Sequence, residues 1–160
     1  MSESMSKDTL ERESTMKRLV YLSEATQDFS QRDVEDLASH SLTKNKSLNI
    51  TGYLSYSKGR FVQYLEGESG VVTELANVIQ KDSRHNYLHG VESNDFEERL
   101  FSTWNMRYIS SEELKTYPLE DYIELKLLYL KNDFQYKERC EELLWKHVSG
   151  ISKLREHVTN

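Results

Sequence analysis

The run NITGYLSYSKGRFVQYLEG, residues 49–67, constrains the fold most, because two β-rich segments in it meet at one short turn. That turn is Ser57-Lys58-Gly59, and its glycine can take the positive φ that tight hairpin turns need. The run therefore predicts a β-hairpin. In the second strand Phe61, Gln63 and Leu65 share one face, and the two apolar members indicate that this face is buried. A glutamine at its centre needs hydrogen-bond partners, either neighbouring side chains or a ligand.

The elements around the hairpin alternate between strands and helices. RLVYLS (18–23) predicts a strand, and the helix after it begins with a capping box of Ser30 and Asp33. A second helix follows the hairpin, with Ser69 as its predicted N-cap. YLHGVES (87–93) and WNMRYIS (104–110) predict two more strands. The inward faces of the helices are Val34, Leu37, Ala38, Ser41 and Asn45 in the first, and Val72, Leu75, Ala76 and Ile79 in the second, continued by Asp82 and Ser83.

The resulting order, βαββαββ, predicts an α+β ferredoxin-like sandwich: a mixed five-stranded sheet with both helices on one face. We expect a disordered N-terminal arm over 1–15, this sandwich over 16–110 and a helical extension over 111–160. In the extension a seam repeats at spacings of four and three residues: Cys140, Leu144, His147, Ile151, Leu154 and Val158. The seam predicts either a helix packed on the open face of the sheet or a surface for a dimer or a partner.

Composition excludes several classes of function. The net charge of −6 argues against nucleic-acid binding, which needs clustered Lys and Arg. Cys140 is the single cysteine, so no intrachain disulfide forms, and no Cys/His spacing predicts a metal site. No apolar run reaches transmembrane length and the N-terminus has no apolar signal core, so we expect a cytoplasmic protein without a membrane partner.

Several polar residues are predicted to converge with Gln63. Tyr21 lies between Leu19 and Ser23 on one face of the first strand, and Asn45 and Asp82 extend the inward helix faces. Trp104 and Met106 are predicted to share a face of the last strand. Such a set suits a flat heteroaromatic ligand, which needs hydrogen bonds at its rim and apolar contacts on its faces. A purely structural polar network within the sheet is the alternative.

The motifs RLVYLS, NITGYL, GRFVQYLEGE, KDSRH and FSTWNMRYIS together resemble the BLUF family, the blue-light-sensing domains that use flavin. The resemblance runs from about Met16 to Ser110. Beyond it, the predicted C-terminal helices are similar to those of short family members that carry no enzymatic output domain. The resemblance implies the ferredoxin-like fold and a non-covalent FAD, with FMN or riboflavin as alternatives, whose ring lies between the two helices.

The resemblance also implies roles for individual residues. Tyr21 and Gln63 match the photoactive pair: the tyrosine gives up an electron and a proton, and the glutamine rearranges its hydrogen bonds to the flavin. Asn45 would bond the carbonyl and imide edge of the ring. The other implied flavin contacts are Ile79 on the ring face, Asp82 and Arg84 towards the ribityl end, His85 and Ser41. Trp104 and Met106 are implied as the signal relay. Ser23 and Ser41 are either tuning residues or small residues that allow close packing, and His85 either closes over the ring or only ends a strand. Lys44 departs from the other polar residues often found there in the family, and it is either a solvent-facing lysine at a helix end or a residue that shifts dark recovery.

These implications predict a blue-light photoreceptor without enzyme activity of its own. It would act on an unidentified downstream protein partner, and the seam suggests a homo-oligomer. The competing classes are a flavin domain that senses redox state, a small hydrolase on the same fold and a flavin-free interaction module. The hydrolase would need an anion-binding loop after the first strand, and SEATQDFS contains neither glycine nor arginine to build one.

Overall fold

A computed structural model describes residues 15–94, 96–115, 118–132 and 135–153. These described residues form five strands and five helices. The strands are β1 (Met16–Ala25), β2 (Thr51–Ser57), β3 (Arg60–Glu68), β4 (His85–Ser93) and β5 (Arg107–Ile109). The helices are α1 (Gln31–Ser47), α2 (Ser69–Gln80), α3 (Ser111–Lys115), α4 (Leu119–Lys131) and α5 (Lys137–Lys153).

The strands form one mixed sheet in the order β4-β1-β3-β2-β5. β1 pairs antiparallel with both β3 and β4, β2 pairs antiparallel with β3, and β5 pairs parallel with β2. Both α1 and α2 pack on one face of the sheet. The predicted ferredoxin-like sandwich and its βαββαββ order are therefore confirmed.

Local signals explain where most elements begin and end. The capping box of Ser30 and Asp33 is present at the start of α1. Lys58 and Gly59 have φ values of 52° and 77°, so a two-residue turn with positive φ at both positions closes the β2–β3 hairpin. The predicted N-cap of α2 is wrong, because Glu68 takes that place and its carboxylate accepts a 3.1 Å hydrogen bond from the Gly70 N–H. Glu68 ends β3 directly, which leaves no linker residue before the helix.

The last strand is shorter than predicted. We expected a strand over 104–110, whereas β5 contains only Arg107–Ile109. The residues before it follow an irregular path, in which the Trp104 N–H bonds the Phe101 carbonyl and the Gly52 N–H bonds the Trp104 carbonyl at 2.8 Å. The period of two therefore does not apply to Trp104 and Met106.

The sheet separates two apolar clusters. The front face, beneath α1 and α2, contains Leu19, Tyr21, Leu54, Phe61 and Leu65. The back face carries Val20, Leu22, Tyr53, Val62 and Tyr64 against α4 and α5. A second layer of helices thus closes the face that the sandwich alone would leave open.

The C-terminal seam is used inside the chain. In α5 the fully buried residues are Leu144, Val148 and Ile151, all packed in the back-face cluster. His147 is only half-buried, and its ring stacks on Tyr122 of α4. Val148 therefore occupies the buried seam position that was predicted for His147. Leu144 and Ile151 of the seam therefore pack on the sheet, which is one of the two predicted arrangements. A dimer or partner surface stays a prediction. Leu154 and Val158 lie outside the described residues, as does the predicted arm apart from Thr15.

The described ranges lack two kinds of feature. There, no helix is long and apolar enough to cross a membrane. The same ranges contain no group of three or more His, Cys, Asp or Glu side chains arranged to hold a metal ion.

Candidate functional site

A cavity of about 610 Å³ lies between α1, α2 and the front face of the sheet. Its size suits a drug- or cofactor-sized ligand. Every residue predicted to contact a flavin lines this cavity: Tyr21, Ser41, Asn45, Gln63, Ile79, Asp82, Arg84 and His85. The structure therefore brings together side chains that come from β1, α1, β3, α2, the α2–β4 connection and the first residue of β4.

Tyr21 and Gln63 form the floor of the cavity. They lie directly opposite one another on the antiparallel strands β1 and β3, and both are buried. The Tyr21 hydroxyl donates a hydrogen bond to Gln63 Oε1, which fixes the orientation of the amide. Burial, and then the proximity of Tyr87 and Asp82, raises the pKa of the Tyr21 phenol well above its usual range. Tyr21 is thus a neutral donor at any ordinary pH.

Met106 lies on the other side of the Gln63 amide. Gln63 Nε2 donates to Met106 Sδ at 3.6 Å, a weak bond because a thioether is a poor acceptor. Trp104 was predicted to share a face with Met106, and this is wrong. Trp104 lies on the back face, 5.2 Å from the Phe101 ring and beneath the Arg107 guanidinium at 4.5 Å. Of these two residues, Met106 is the one that faces the cavity side of the sheet.

Asn45 lies in the last turns of α1 and is 2% exposed. Its Nδ2 donates at 3.0 Å to the carbonyl of Asn105, and Asn105 Nδ2 donates at 3.1 Å to the Ile50 carbonyl. Asn45 therefore ties the end of α1 to the segment that carries Met106. Asn105 was not identified from the sequence, because nothing in its local pattern marks it as a partner of a residue 60 positions away.

Charged side chains form the rim. Arg84 bonds both carboxylate oxygens of Asp82, and hydrogen bonds from the Arg84 side chain lower the pKa of Asp82 to about 2. His85 Nε2 donates to the Ile79 carbonyl at 2.7 Å, which closes the end of α2 against β4. Lys44 is exposed at the rim of the cavity, so its side chain both faces solvent and lies close to the ligand space.

Two neighbours of Tyr21 shape its surroundings. Ser23, on the same strand, is fully buried, and its hydroxyl has no hydrogen-bond partner among the described residues. Tyr87 of β4 packs its ring 5.3 Å from the Tyr21 ring. Gly90 makes room for it, because a Cβ there would lie 1.8 Å from the Tyr87 hydroxyl oxygen. Tyr87 was missed from the sequence, since this contact depends on a register shift in the β1–β4 pairing.

Glu66 organises the back of the site and was also missed. It is fully buried and accepts hydrogen bonds from the hydroxyls of Tyr64 and Thr51. It also accepts bonds from the backbone N–H groups of Leu100 and Phe101, at 2.9 and 2.7 Å. Glu66 therefore anchors the segment that leads to Met106 onto β3. The period-two pattern that places Tyr64 and Glu66 on one face was the available signal.

Comparison with known proteins places this geometry in a family. The family model BLUF, described as sensors of blue-light using FAD, matches residues 16–107. Among curated relatives, the photoactivated adenylate cyclase subunit beta of Euglena longa is 34% identical over 113 residues, 69% of this chain and 13% of the relative. Subunit alpha of Euglena gracilis is 36% identical over 107 residues, 66% of this chain and 10% of the relative. The chain thus spans only about a tenth of the length of these relatives.

Solved structures agree. A bacterial light-regulated adenylyl cyclase is 34% identical with a TM-score of 0.59, over 69% of this chain and 33% of that one. BlsA in its ground state is 30% identical with a TM-score of 0.55, over 66% and 72% of the two chains. BlrB, a BLUF protein in its dark state, is 24% identical with a TM-score of 0.60, covers 86% and 97%, and supports the fold alone.

Proposed function

Because this chain belongs to the BLUF family, the sensors of blue light using FAD, we propose that it is a blue-light photoreceptor whose signal begins at Tyr21 and Gln63. One observation carries the assignment of these two residues. The Tyr21 hydroxyl bonds Gln63 Oε1 on the floor of a cavity between two helices, and both side chains are buried.

The residues around the cavity fit a flavin. Asn45 and Gln63 supply amide groups at its buried end, and an amide both donates and accepts, as the edge of a flavin ring does. Gln63 Nε2 carries two N–H donors, and one of them forms a weak hydrogen bond with the Met106 sulfur. Ile79 and Leu75 from α2 and Phe61 from β3 offer apolar contact for the faces of the ring.

When bound, the flavin absorbs blue light and becomes a strong one-electron oxidant. Tyr21 then loses one electron and its phenolic proton and later regains both, so it is unchanged at the end of the cycle. Burial holds the phenol neutral beforehand, which makes coupled loss of the two particles the accessible route. Gln63 is left with its amide rearranged, because an amide has two hydrogen-bonded orientations of similar energy.

Met106 is directly affected by this rearrangement, because its sulfur is bonded to the Gln63 amide. In the present orientation its sulfur accepts from Gln63 Nε2. A rotated amide turns Oε1 towards the sulfur, and two acceptors then face each other without a shared hydrogen. Met106 must shift, and β5 begins at the next residue, Arg107. This supports an exit of the signal at the parallel β2–β5 pair.

We further propose that the photochemistry requires no catalysis by this domain and that its output passes through protein contact. The flavin-binding domain would end near Ser110, with the helices of the extension as the contact region. A homo-oligomer and a downstream partner remain predictions, and light scattering in darkness and under blue light tests the first of them.

The decisive experiment records the visible spectrum of the flavin-loaded protein before and after blue illumination. We expect a red shift that relaxes in darkness. Tyr21→Phe and Gln63→Leu should keep the flavin and lose the shift. Tyr64→Phe is the matched control, because it removes a buried tyrosine hydroxyl from the opposite face of β3. A red shift that survives Gln63→Leu, or that disappears in Tyr64→Phe, contradicts the proposed roles.

A further inference from the structure

Glu120 is a buried carboxyl group that the photochemistry does not use. It lies at the start of α4, is 7% exposed and faces the back of the sheet. Its carboxylate accepts a hydrogen bond from the Tyr53 hydroxyl at 3.2 Å and another from the Ser55 hydroxyl. A carboxyl buried on the far side of the sheet from the ligand cavity is costly, and it calls for a function.

The hydrogen-bond partners of Glu120 lie close to Gln63 in the sheet. Tyr53 and Ser55 flank Leu54 on β2, and Leu54 is paired with Gln63 on one side and with Tyr108 of β5 on the other. β2 therefore lies between the strand that carries Gln63 and the strand that begins after Met106. Tyr53 and Ser55 thus connect both neighbouring strands to Glu120, because β2 pairs with each strand and these two hydroxyls bond the carboxylate.

Ser55 provides the two-state element. Its Oγ bonds Glu120 and also lies 3.3 Å from the Val62 carbonyl oxygen, with only one hydroxyl hydrogen to donate. When Glu120 is ionised, that hydrogen is held by the carboxylate. When Glu120 is protonated, the acid can donate to Ser55 Oγ, and Ser55 can donate to Val62. Val62 directly precedes Gln63, so the protonation state of Glu120 and the backbone bonding beside Gln63 are linked.

We propose that Glu120 takes up or releases a proton in step with the light state of Gln63, and that this exchange changes how α4 is held on the sheet. The inference rests on the proposed function. The proton comes from bulk water and returns to it, and no electron moves. Tyr53 couples the same carboxyl to Trp104, because the Tyr53 ring packs 5.3 Å from Phe101, which in turn contacts Trp104.

The surroundings of Glu120 support titration near neutral pH. Burial raises the pKa of Glu120 to about 7, opposed by the hydrogen bonds from Ser55 and Tyr53 and reinforced by the nearby Glu124 and Asp121. The facing groups are thus Tyr53 from β2, itself a neutral phenol with a raised pKa, and the two acids of α4. The Glu124 carboxylate lies 2.6 Å from the Arg60 guanidinium of β3, so Arg60 forms its ion pair with Glu124 and not with Glu120.

The test is a light-minus-dark infrared titration of the flavin-loaded full chain, read in the C=O stretching region of protonated carboxylic acids. We expect one acid band whose titration midpoint differs between darkness and steady blue light by about fivefold or more in proton affinity, the usual lower range for coupled sites. Glu120→Gln should remove this band while the flavin red shift remains. Glu124→Gln, on the same helix and also joined to the sheet, should leave the band intact.

Ser55→Ala gives a second arm and does not depend on the behaviour of Glu120→Gln. It should keep the acid band but narrow the difference between the dark and lit midpoints, because the link to Val62 is gone while the bond from Tyr53 remains. Coincident midpoints in the unmodified protein, or a band that survives Glu120→Gln, would overturn the proposal. A missing red shift in the unmodified protein would instead refute the photoreceptor function itself, so the two failures are distinguishable.

Discussion

Replacing Glu66 by alanine should destabilise the protein far more than replacing an exposed glutamate would, because Glu66 is fully buried. Two backbone donors, the N–H groups of Leu100 and Phe101, would lose their acceptor, and the Phe101 group is buried. A donor left unsatisfied in the interior costs about 1–3 kcal/mol. The hydroxyls of Tyr64 and Thr51 lose the same acceptor but can rotate. We therefore expect a loss of about 3–5 kcal/mol, in the range for breaking a buried charged network.

Urea unfolding followed by far-UV circular dichroism, at one fixed flavin concentration, measures this loss. Glu68→Ala is the matched control, two residues further along the chain. Glu68 is exposed and only caps α2 through Gly70, so its removal should cost about 1 kcal/mol. If Glu66→Ala costs no more than Glu68→Ala, then Glu66 does not anchor the segment that carries Met106.

Two further predictions concern stability. Folding raises the Glu120 pKa from about 4.3 to about 7, so the folded chain holds that proton more tightly. The Glu120 contribution to stability should therefore be fully present below about pH 4, fall by about 3 kcal/mol as the pH rises to about 7, and then level off. The difference between thermal melts of the protein and of Glu120→Gln across this pH range isolates that contribution. Gly52→Ala should prevent folding, because its Cβ would lie 1.8 Å from the Tyr64 carbonyl oxygen. Gly59→Ala, with open space but a φ of 77°, should cost only about 1–2 kcal/mol in the same melts; equal effects of the two substitutions would contradict this packing.

Local patterns were sufficient to predict the front of the site. The alternation of Phe61, Gln63 and Leu65 and the inward face that ends at Asn45 depend on periods of two and 3.6 residues, and the backbone keeps those periods. The hairpin turn was equally local. For this reason Tyr21, Asn45 and Gln63, which these patterns predicted to surround a ligand, do line one cavity.

The parts that the sequence could not predict depend on irregular backbone or on distant partners. Trp104 and Met106 fall on opposite faces because the segment before β5 is not a strand. In α5 the buried position is Val148 and not His147, a difference of one residue that heptad spacing over two turns does not resolve. Glu120 accepts a hydrogen bond from Tyr53, which is 67 residues away in the sequence, and no local pattern predicts such a pair.

Consecutive residues of the central strands serve opposite sides of the sheet, and this has a consequence for protein engineering. Gln63 faces the cavity, while its neighbour Val62 packs in the back-face cluster with the C-terminal helices. A library restricted to the back-face positions Val20, Leu22 and Val62 would therefore alter how the C-terminal helices are held and leave the cavity-facing side chains unchanged. Adjacent codons therefore encode a cavity-facing side chain, Gln63, and a side chain that packs against the C-terminal helices, Val62. A point mutation can change the helix packing without changing the cavity-facing residue.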